Sequence, residues 1–541
     1  MIIYTEEQIE AIKPQGSLVI TACPGSGKTA VIAQKIRNEL QNLKSYQGIS
    51  AITFTRKASK ELEERCRKDN SDTKASFFGT IDSFCLSEII YPFLNQILGG
   101  STDSINPKYE SDLTDAEKLL TASLEELDEV DSTSLTAIKA LYLNGTVFFP
   151  TIPALALYVH QNCMACKNYI KAKYTSIYID EYQDSSKAQH MLFLSIVNSG
   201  ITGVAVGDLQ QSIYGWRRCS PEFLKQLMTY PGFTHRTVSY NHRCHPSIAN
   251  YSNRLFNSQF ELASTDSLQV WQCKFIGTQR DAAVSLNKLI PAMLEKFNMY
   301  KPSDVSVLVR NNRTLGYLRE HVSIPCRIFS DDAIDSLQSK TGFLWSELLK
   351  YRFDSAITPD LVLEALPDQS DLSKINVIAA RKLIRKARSI DSLLLEEYLQ
   401  GAPKLFLGIE PKVNELAALK SVINDSDAIR QYTPITSDEI QCMTLHKSKG
   451  LEFEIVIHLD LSEWIFPFQQ IGASFADKIY PDWEQDLNLH FVGVTRAKSI
   501  CLLGHTSMRL NGVGETKNGA PSAFLSLPGV QGLFKTFTYP Q

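Results

Sequence analysis

The stretch Ala22-Cys23-Pro24-Gly25-Ser26-Gly27-Lys28-Thr29 follows the apolar run Leu18-Val19-Ile20 and opens into Ala30-Val31-Ile32-Ala33-Gln34-Lys35-Ile36, which has helical period. Strand, glycine-rich turn and helix in that order form the context of a phosphate-binding loop. Glycines let backbone N–H groups close around phosphate oxygens, and the helix N-terminus adds its positive dipole end. In that setting Lys28 reaches the β and γ phosphates, and the Thr29 hydroxyl ligates Mg²⁺. The general motif opens with Gly, and here that position is Ala22. The loop predicts a nucleotide and leaves open what its hydrolysis drives.

At 541 residues the chain has length for several domains and more than one apolar core. Its 44% hydrophobic and 21% charged content is that of an ordinary soluble globular protein. The start, Met1-Ile2-Ile3-Tyr4-Thr5-Glu6-Glu7, carries early acids and no basic region, unlike a signal peptide. The longest apolar stretch, Val147 to Val159, is broken by Pro150 and Pro153 and is too short to span a bilayer, so no membrane is expected. Eleven cysteines without regular spacing fit reduced thiols in a cytoplasmic protein. His160, Cys163 and Cys166 have ligand-like spacing, but no second pair follows to close a zinc site. Thiols are the preferred reading there. A net charge of −4 gives no general attraction to nucleic acid, so any such binding needs a local groove.

Along the chain, Ala51-Ile52-Thr53-Phe54-Thr55 reads as a buried strand, and Phe77 to Cys85 as a strand running into a helix. The segment from Glu110 to Asp131 holds nine acids and the single base Lys118, and reads first as a solvated helical face. Ile177-Tyr178-Ile179-Asp180-Glu181 is an apolar strand delivering two adjacent carboxylates. One suits Mg²⁺; the other can orient and deprotonate an attacking water. Val204-Ala205-Val206 feeds a loop in which Gln211 can read a γ-phosphate. In the same loop Tyr214 and Trp216 offer flat faces, as core residues or as platforms for bases. Arg243 and Arg496 are candidates for stabilising transition-state charge. A second sheet unit starts near Trp271, with strands at 305–310 and 324–328, and resumes at Ile440 after a helical stretch. The basic run Arg381 to Arg388 in that stretch is a duplex contact or a solvated helix face. Interleaved strands and helices of this kind make α/β domains with mostly parallel sheets.

Read together, ACPGSGKT, TFTRKA, GTIDSFC, IDEYQD, GDLQQSIYGW, NHR, TLHKSKGLEF and VGVTRAK resemble, in order, the motifs of UvrD/Rep/PcrA-like superfamily 1 DNA helicases. The resemblance implies two RecA-like P-loop NTPase domains, each with a mainly helical inserted subdomain. It places the first domain in residues 1–92 and 166–265 around an insertion at 93–165. The second falls in 266–331 and 436–541 around an insertion at 332–435. It further implies that Gln8 contacts adenine, that residues Ala22 to Ala30 cradle the phosphates, that Thr29 and Asp180 hold Mg²⁺, and that Glu181 is the general base. Gln211, Arg243 and Arg496 would surround the γ-phosphate, Glu452 would meet the ribose, and Phe54, Tyr214, Trp216 and His446 would face DNA. His242 stands where the family usually has a tyrosine stacking on adenine, Gly215 replaces an arginine, and Leu487 and Asn488 replace two more. The implied activity is an ATP-dependent single-stranded DNA translocase or helicase moving 3′ to 5′. The compact insertions are similar to the helicase-like subunits of Gabija-type antiphage systems. That likeness offers a second function: a nucleotide-gated DNA sensor, or regulatory ATPase, partnered by a nuclease and acting on DNA or DNA ends. A P-loop enzyme unrelated to nucleic acid would not carry the later motifs in order.

Overall fold

The computed structural model describes residues 3–68, 72–100, 105–215, 218–298, 300–366, 377–472 and 477–540. Thr5 caps helix α1 (Glu6–Ile12): its hydroxyl accepts the Gln8 N–H while the Gln8 side chain answers the Thr5 N–H. Strand β1 (Ser17–Ala22) runs through the phosphate loop into helix α2 (Lys28–Leu40). Strand β2 (Gly48–Thr53) leads to Thr55, whose hydroxyl caps helix α3 (Arg56–Cys66). Strand β3 (Phe77–Thr80) leads into a mostly helical excursion, in which β4 (Asn106–Lys108) and β5 (Thr146–Phe148) pair with each other. The chain returns as β6 (Tyr174–Ile179), β7 (Thr202–Gly207) and β8 (Phe233–Val238). The sheet order is β3-β2-β6-β7-β1-β8, and every pairing is parallel. Leu18, Ile20 and Ala22 face a cluster with Val31, Ile36 and Leu62, while Val19 points into the opposite one with Phe93 and Leu155. Burial on both faces explains why β1 reads as a continuous apolar run.

The second sheet is built from β9 (Val270–Phe275), β10 (Val305–Val309), β11 (Cys326–Phe329), β12 (Ile440–Thr444) and β13 (Phe453–His458). After the small hairpin β14 (Gln470–Ile471) and β15 (Lys478–Ile479) comes β16 (Ala497–Thr506). The hairpin β17 (Met508–Leu510) and β18 (Thr516–Asn518) precedes the last strand, β19 (Lys535–Tyr539). The order β11-β12-β10-β13-β16-β9-β19 is again entirely parallel. The result is α/β, two RecA-like parallel sheets flanked by helices, as the motif order predicts. Strands β16 and β19 are additions to the sequence reading.

The two helical excursions differ. The first shares its core with the first sheet: Phe93, Leu155 and Val159 pack in one cluster with Val19 and Ile177. The second, between β11 and β12, closes its own core around Trp345, Leu348, Leu399 and Phe406, and Trp345 Nε1 donates to the Leu399 carbonyl at 2.6 Å. Polar contacts join the excursions, among them Ser111 Oγ to the Gln338 carbonyl at 3.0 Å and Lys412 to the Ser111 carbonyl. Glu364 of the second reaches Lys60 on α3 at 3.2 Å. The acidic segment is not purely a solvated face. Glu117 is buried and accepts from Lys108 at 2.7 Å and Thr146 Oγ1 at 2.6 Å. In the basic run, Arg388 donates to the Tyr351, Asp354 and Ile357 carbonyls and Arg381 pairs with Asp360, leaving Lys382 and Arg385 outermost.

Behind the second sheet lie two wholly buried histidines. His458 Nδ1 donates to the Leu459 carbonyl at 2.9 Å, so its Nε2 is free to accept from His490 Nδ1 at 3.0 Å. Tyr251 O–H then donates to His490 Nε2 at 3.4 Å. Both rings satisfy this chain only when neutral. Burial pushes His458 down to about 4 and His490 well below the ordinary imidazole value. The unfolded chain therefore takes up these protons first, and stability drains away as pH falls from about 6.5. The melting temperature is expected to drop between pH 7.5 and pH 5, with a shallower drop in a His458→Gln/His490→Gln variant. Parallel pH slopes in the two proteins would mean that the pair is not the source.

Candidate functional site

The phosphate loop is shaped by its neighbours. Gly25 and Gly27 have φ of +71° and +80°, the left-handed region where a Cβ is costly. The Cys23 N–H donates to the Val238 carbonyl at 3.1 Å, and the His242 N–H donates to the Gly25 carbonyl at 3.0 Å. The segment after β8 thus lies directly on the loop, with Asn241 Oδ1 accepting the N–H groups of Arg243 and Cys244. Gln8 is buried beneath the other side, its Nε2 donating to the Ser26 carbonyl at 2.9 Å and its Oε1 accepting from Thr5 at 2.9 Å. Ala22 and Pro24 are buried, whereas Thr29 and Ala30 lie half-buried in the first turn of α2. Ser26 Oγ is buried without a hydrogen-bond partner among the described residues. Left-handed glycines, a helix start and an orphaned hydroxyl suit an anion with several acceptor oxygens.

Lys28 Nζ lies 3.1 Å from Glu181 Oε1. Strand β6 ends at this point, and Glu181 itself has φ 54°, ψ 39°, a strained conformation for a residue with a Cβ. Asp180 Oδ1 accepts the Glu181 N–H at 2.9 Å. Gln183 Nε2 donates to Glu181 Oε2 at 2.5 Å, and Gln183 Oε1 accepts the Asp208 N–H at 2.9 Å. Burial opposes the Glu181 charge, but the Lys28 and Lys449 ammoniums outweigh it and hold the carboxyl below its usual range. Asp180, buried beside that carboxylate, is pushed upward. Burial alone would lower Lys28, yet Glu181, Asp180 and Asp208 together raise it.

The opposite wall comes from the second sheet. Arg496 is 2% exposed; its Nε donates to the Val492 carbonyl and its Nη1 to the Leu451 carbonyl, both at 3.0 Å. Its Nη2 reaches Gln211 Oε1 at 3.4 Å, and Gln211 Nε2 donates to Asp208 Oδ2 at 2.6 Å. Burial, with Arg243 nearby, brings Arg496 down to about 10, where it still carries its charge at neutral pH. Arg243 Nε pairs with Glu452 at 2.7 Å, and Lys498 takes the other Glu452 oxygen at 2.9 Å. Asn488, at a position where the family has arginine, donates to the Ser212 carbonyl at 3.0 Å and so also joins the two sheets. His242 lies on the loop against Tyr240, ring centroids 4.6 Å apart.

Phe54 and Tyr214 stack with centroids 5.6 Å apart and planes 8° from parallel. Beside them a cavity of about 720 Å³ extends past Arg56, Lys57 and Asp82 to Asp180 and Glu181, walled by residues of both excursions. His446 is half-buried, and burial with Arg310 and Lys449 brings it down to about 4. Trp216 lies outside the described residues. Three contributors escaped the sequence reading: Gln183, Asp184 and Lys449. All sit inside quoted motifs, but nothing local indicates that Lys449 Nζ pairs with Asp184 Oδ2 at 2.5 Å. Among the described residues no helix is long and apolar enough to cross a membrane.

A phosphate loop on one parallel sheet, with Arg243 from the same sheet and Arg496 from a second facing it, defines a tandem RecA-type P-loop NTPase. The UvrD/REP helicase N-terminal domain matches residues 4–144 and 108–230, and the UvrD-like helicase C-terminal domain matches 372–506. The chain is 30% identical over 508 residues to the Gabija protein GajB of Bacillus cereus (strain VD045), covering 91% of this chain and 93% of that protein. It is 23% identical over 630 residues to the ATP-dependent DNA helicase PcrA of Staphylococcus aureus (strain MRSA252), covering 96% and 85%. The chain belongs to the UvrD-like helicase family and is an ATP-hydrolysing enzyme.

The loop has no room for one more carbon. A Cβ on Gly25 would come within 2.5 Å of Arg243 Cβ and 2.6 Å of Asn241 Oδ1. Gly25→Ala is expected to cost about 1–3 kcal/mol from the left-handed backbone alone and to weaken nucleotide binding. Unchanged melting and unchanged affinity in a nucleotide titration would show a looser cradle than this one.

Proposed function

We propose that the chain is a single-stranded DNA translocase of the UvrD-like kind, driven by ATP bound between its two sheets and moving 3′ to 5′. The observation that carries this reading is the bridge from Arg496 on one sheet to Gln211 on the other, beside the Lys28–Glu181 pair. Lys28 would hold the β and γ phosphates, and Glu181 would take the proton of the attacking water. Thr29 and Asp180 would hold Mg²⁺, whose charge neutralises phosphate oxygens when it is bound. Arg243 and Arg496 would stabilise charge on the γ-phosphoryl group, with Gln211 reading its presence. Glu452 would meet the ribose, while Gln8 and His242 would border the base. Phe54, Tyr214, Trp216 and His446 would line the strand's path; stacking of this kind is worth about 1–3 kcal/mol per base. The domain limits given above, with insertions at 93–165 and 332–435, belong to the same reading, as does a cytoplasmic location.

A second reading is favoured by the 30% identity to the Gabija protein GajB. In it the same ATPase serves as a DNA-sensing regulatory subunit beside a nuclease in antiphage defence, and unwinds little. Strand-displacement assays on the chain alone, then with a nuclease subunit, separate the two.

Lys28→Ala is expected to abolish ATP turnover and binding, because Lys28 is the cation that the phosphate loop itself carries between the β and γ phosphates. Glu181→Gln should bind ATP and fail to hydrolyse it. Equal losses of nucleotide affinity in both would contradict this division of roles.

Turnover should also rise with single-stranded DNA and decline as salt is added, since a local groove works against a net charge of −4. Turnover indifferent to DNA at low salt would count against a motor.

A further inference from the structure

We propose that Lys449 is the positioning residue that ties occupancy of the single-strand path to the nucleotide site, an inference that rests on the DNA-motor reading above. Lys449 sits in the turn between β12 and β13 of the second sheet, yet the three groups its ammonium touches belong to the first. They are Asp184 Oδ2 at 2.5 Å, the Gln211 carbonyl at 2.9 Å and the face of the Tyr214 ring, 4.7 Å from its centroid. The side chains of Lys449 and Asp184 are 11% and 1% exposed. Among the described residues Asp184 Oδ1 is buried with no hydrogen-bond partner, so Lys449 is the donor that holds this carboxylate.

Each contact leads somewhere. Tyr214 stacks on Phe54, which is 42% exposed and open to a strand. Gln211 holds Asp208 with one end of its amide and faces Arg496 with the other. A buried ammonium cannot be left without partners, because an uncompensated interior charge is strongly unfavourable. When a base engages Phe54 and Tyr214 and the ring shifts, Lys449 therefore has to move with it or give up the ring face. Either response alters the hydrogen bond to the Gln211 backbone, and with it where the Gln211 amide lies between Asp208 and Arg496. A plain interdomain staple would need Asp184 only. The ring and the Gln211 carbonyl make Lys449 a link between two sites.

The test uses the full chain and an oligothymidylate as probe. Oligothymidylate affinity, KM for ATP, and turnover with and without DNA are measured for wild type, Lys449→Met and Lys449→Arg. The Met variant is expected to bind oligothymidylate and ATP within about threefold of wild type, yet to lose about tenfold in the ratio of DNA-stimulated to basal turnover. The Arg variant, which keeps the charge and the ring contact, should recover most of that ratio. Should Lys449→Met fail to fold, Asp184→Asn removes the partner charge at constant shape and should give the same uncoupling. The inference is overturned if the ratio of stimulated to basal turnover survives in Lys449→Met, whatever the loss of its charge beside Glu181 does to the basal rate itself. It is equally overturned if the loss merely follows weaker DNA binding. A wild-type chain that ignores DNA removes the motor reading first, and this inference with it.

Discussion

The cleft is a problem of burying charge. Lys28 and Lys449 lie among four carboxylates, Asp180, Glu181, Asp184 and Asp208, at the edge of two hydrophobic cores. An ion left unpaired there costs several kcal/mol, so each must find a partner of opposite sign or a shifted proton. The cations come from different parts of the chain: Lys28 from α2, Lys449 and Arg496 from the second sheet. Neutralising the carboxylates therefore draws the two sheets together, and the relative position of the domains is set partly by electrostatics. On the proposed reading, a triphosphate entering the loop would add negative charge where Lys28 and Arg243 are already committed to Glu181 and Glu452. Binding would then be an exchange of partners, in which carboxylate contacts are given up for phosphate contacts.

What could be read from the sequence divides along the same line. A phosphate loop needs contiguous backbone, so Gly25, Gly27, Lys28 and Thr29 announce themselves in eight residues. The Asp180–Glu181 pair is equally local, at the end of an apolar strand. Strands β16 and β19 were not legible: parallel strands lack a neighbouring turn, and β16 pairs with β9 from more than two hundred residues earlier. Lys449 and Asp184 are 265 residues apart, and neither carries a local sign of the other. Glu117 was hidden in a crowd of acids, although its burial gives it a fixed task. The excursions were legible as helical and nothing more, since what distinguishes them is which core they belong to.

That distinction bears on motion. The first excursion shares a continuous apolar cluster with the first sheet, so displacing it would open a core. The second carries its own core and meets its neighbours through hydrogen bonds and the exposed Lys60–Glu364 pair. Exposed ion pairs contribute about 0–1 kcal/mol. Moving the second excursion against the rest would break hydrogen bonds, an Arg56–Phe343 contact and an exposed ion pair, whereas moving the first would open a shared core.

The cavity beside the stacked rings adds a directional constraint. Arg56 and Lys57, with Asp82 beside them, line one part of it, while Asp180, Glu181 and Asp184 line another. Phosphates of a strand lying there would be repelled by the second group, whereas uncharged bases would not. Phe54 and Tyr214 are already in contact, so a base stacks on an outer face or parts them. On the proposed reading, parting them would move Tyr214 against Lys449, whose ammonium is held to Asp184 beside Asp180 and Glu181. A strand would then present itself to the proposed nucleotide site through its bases, by way of an aromatic ring and a buried cation, rather than through its charge.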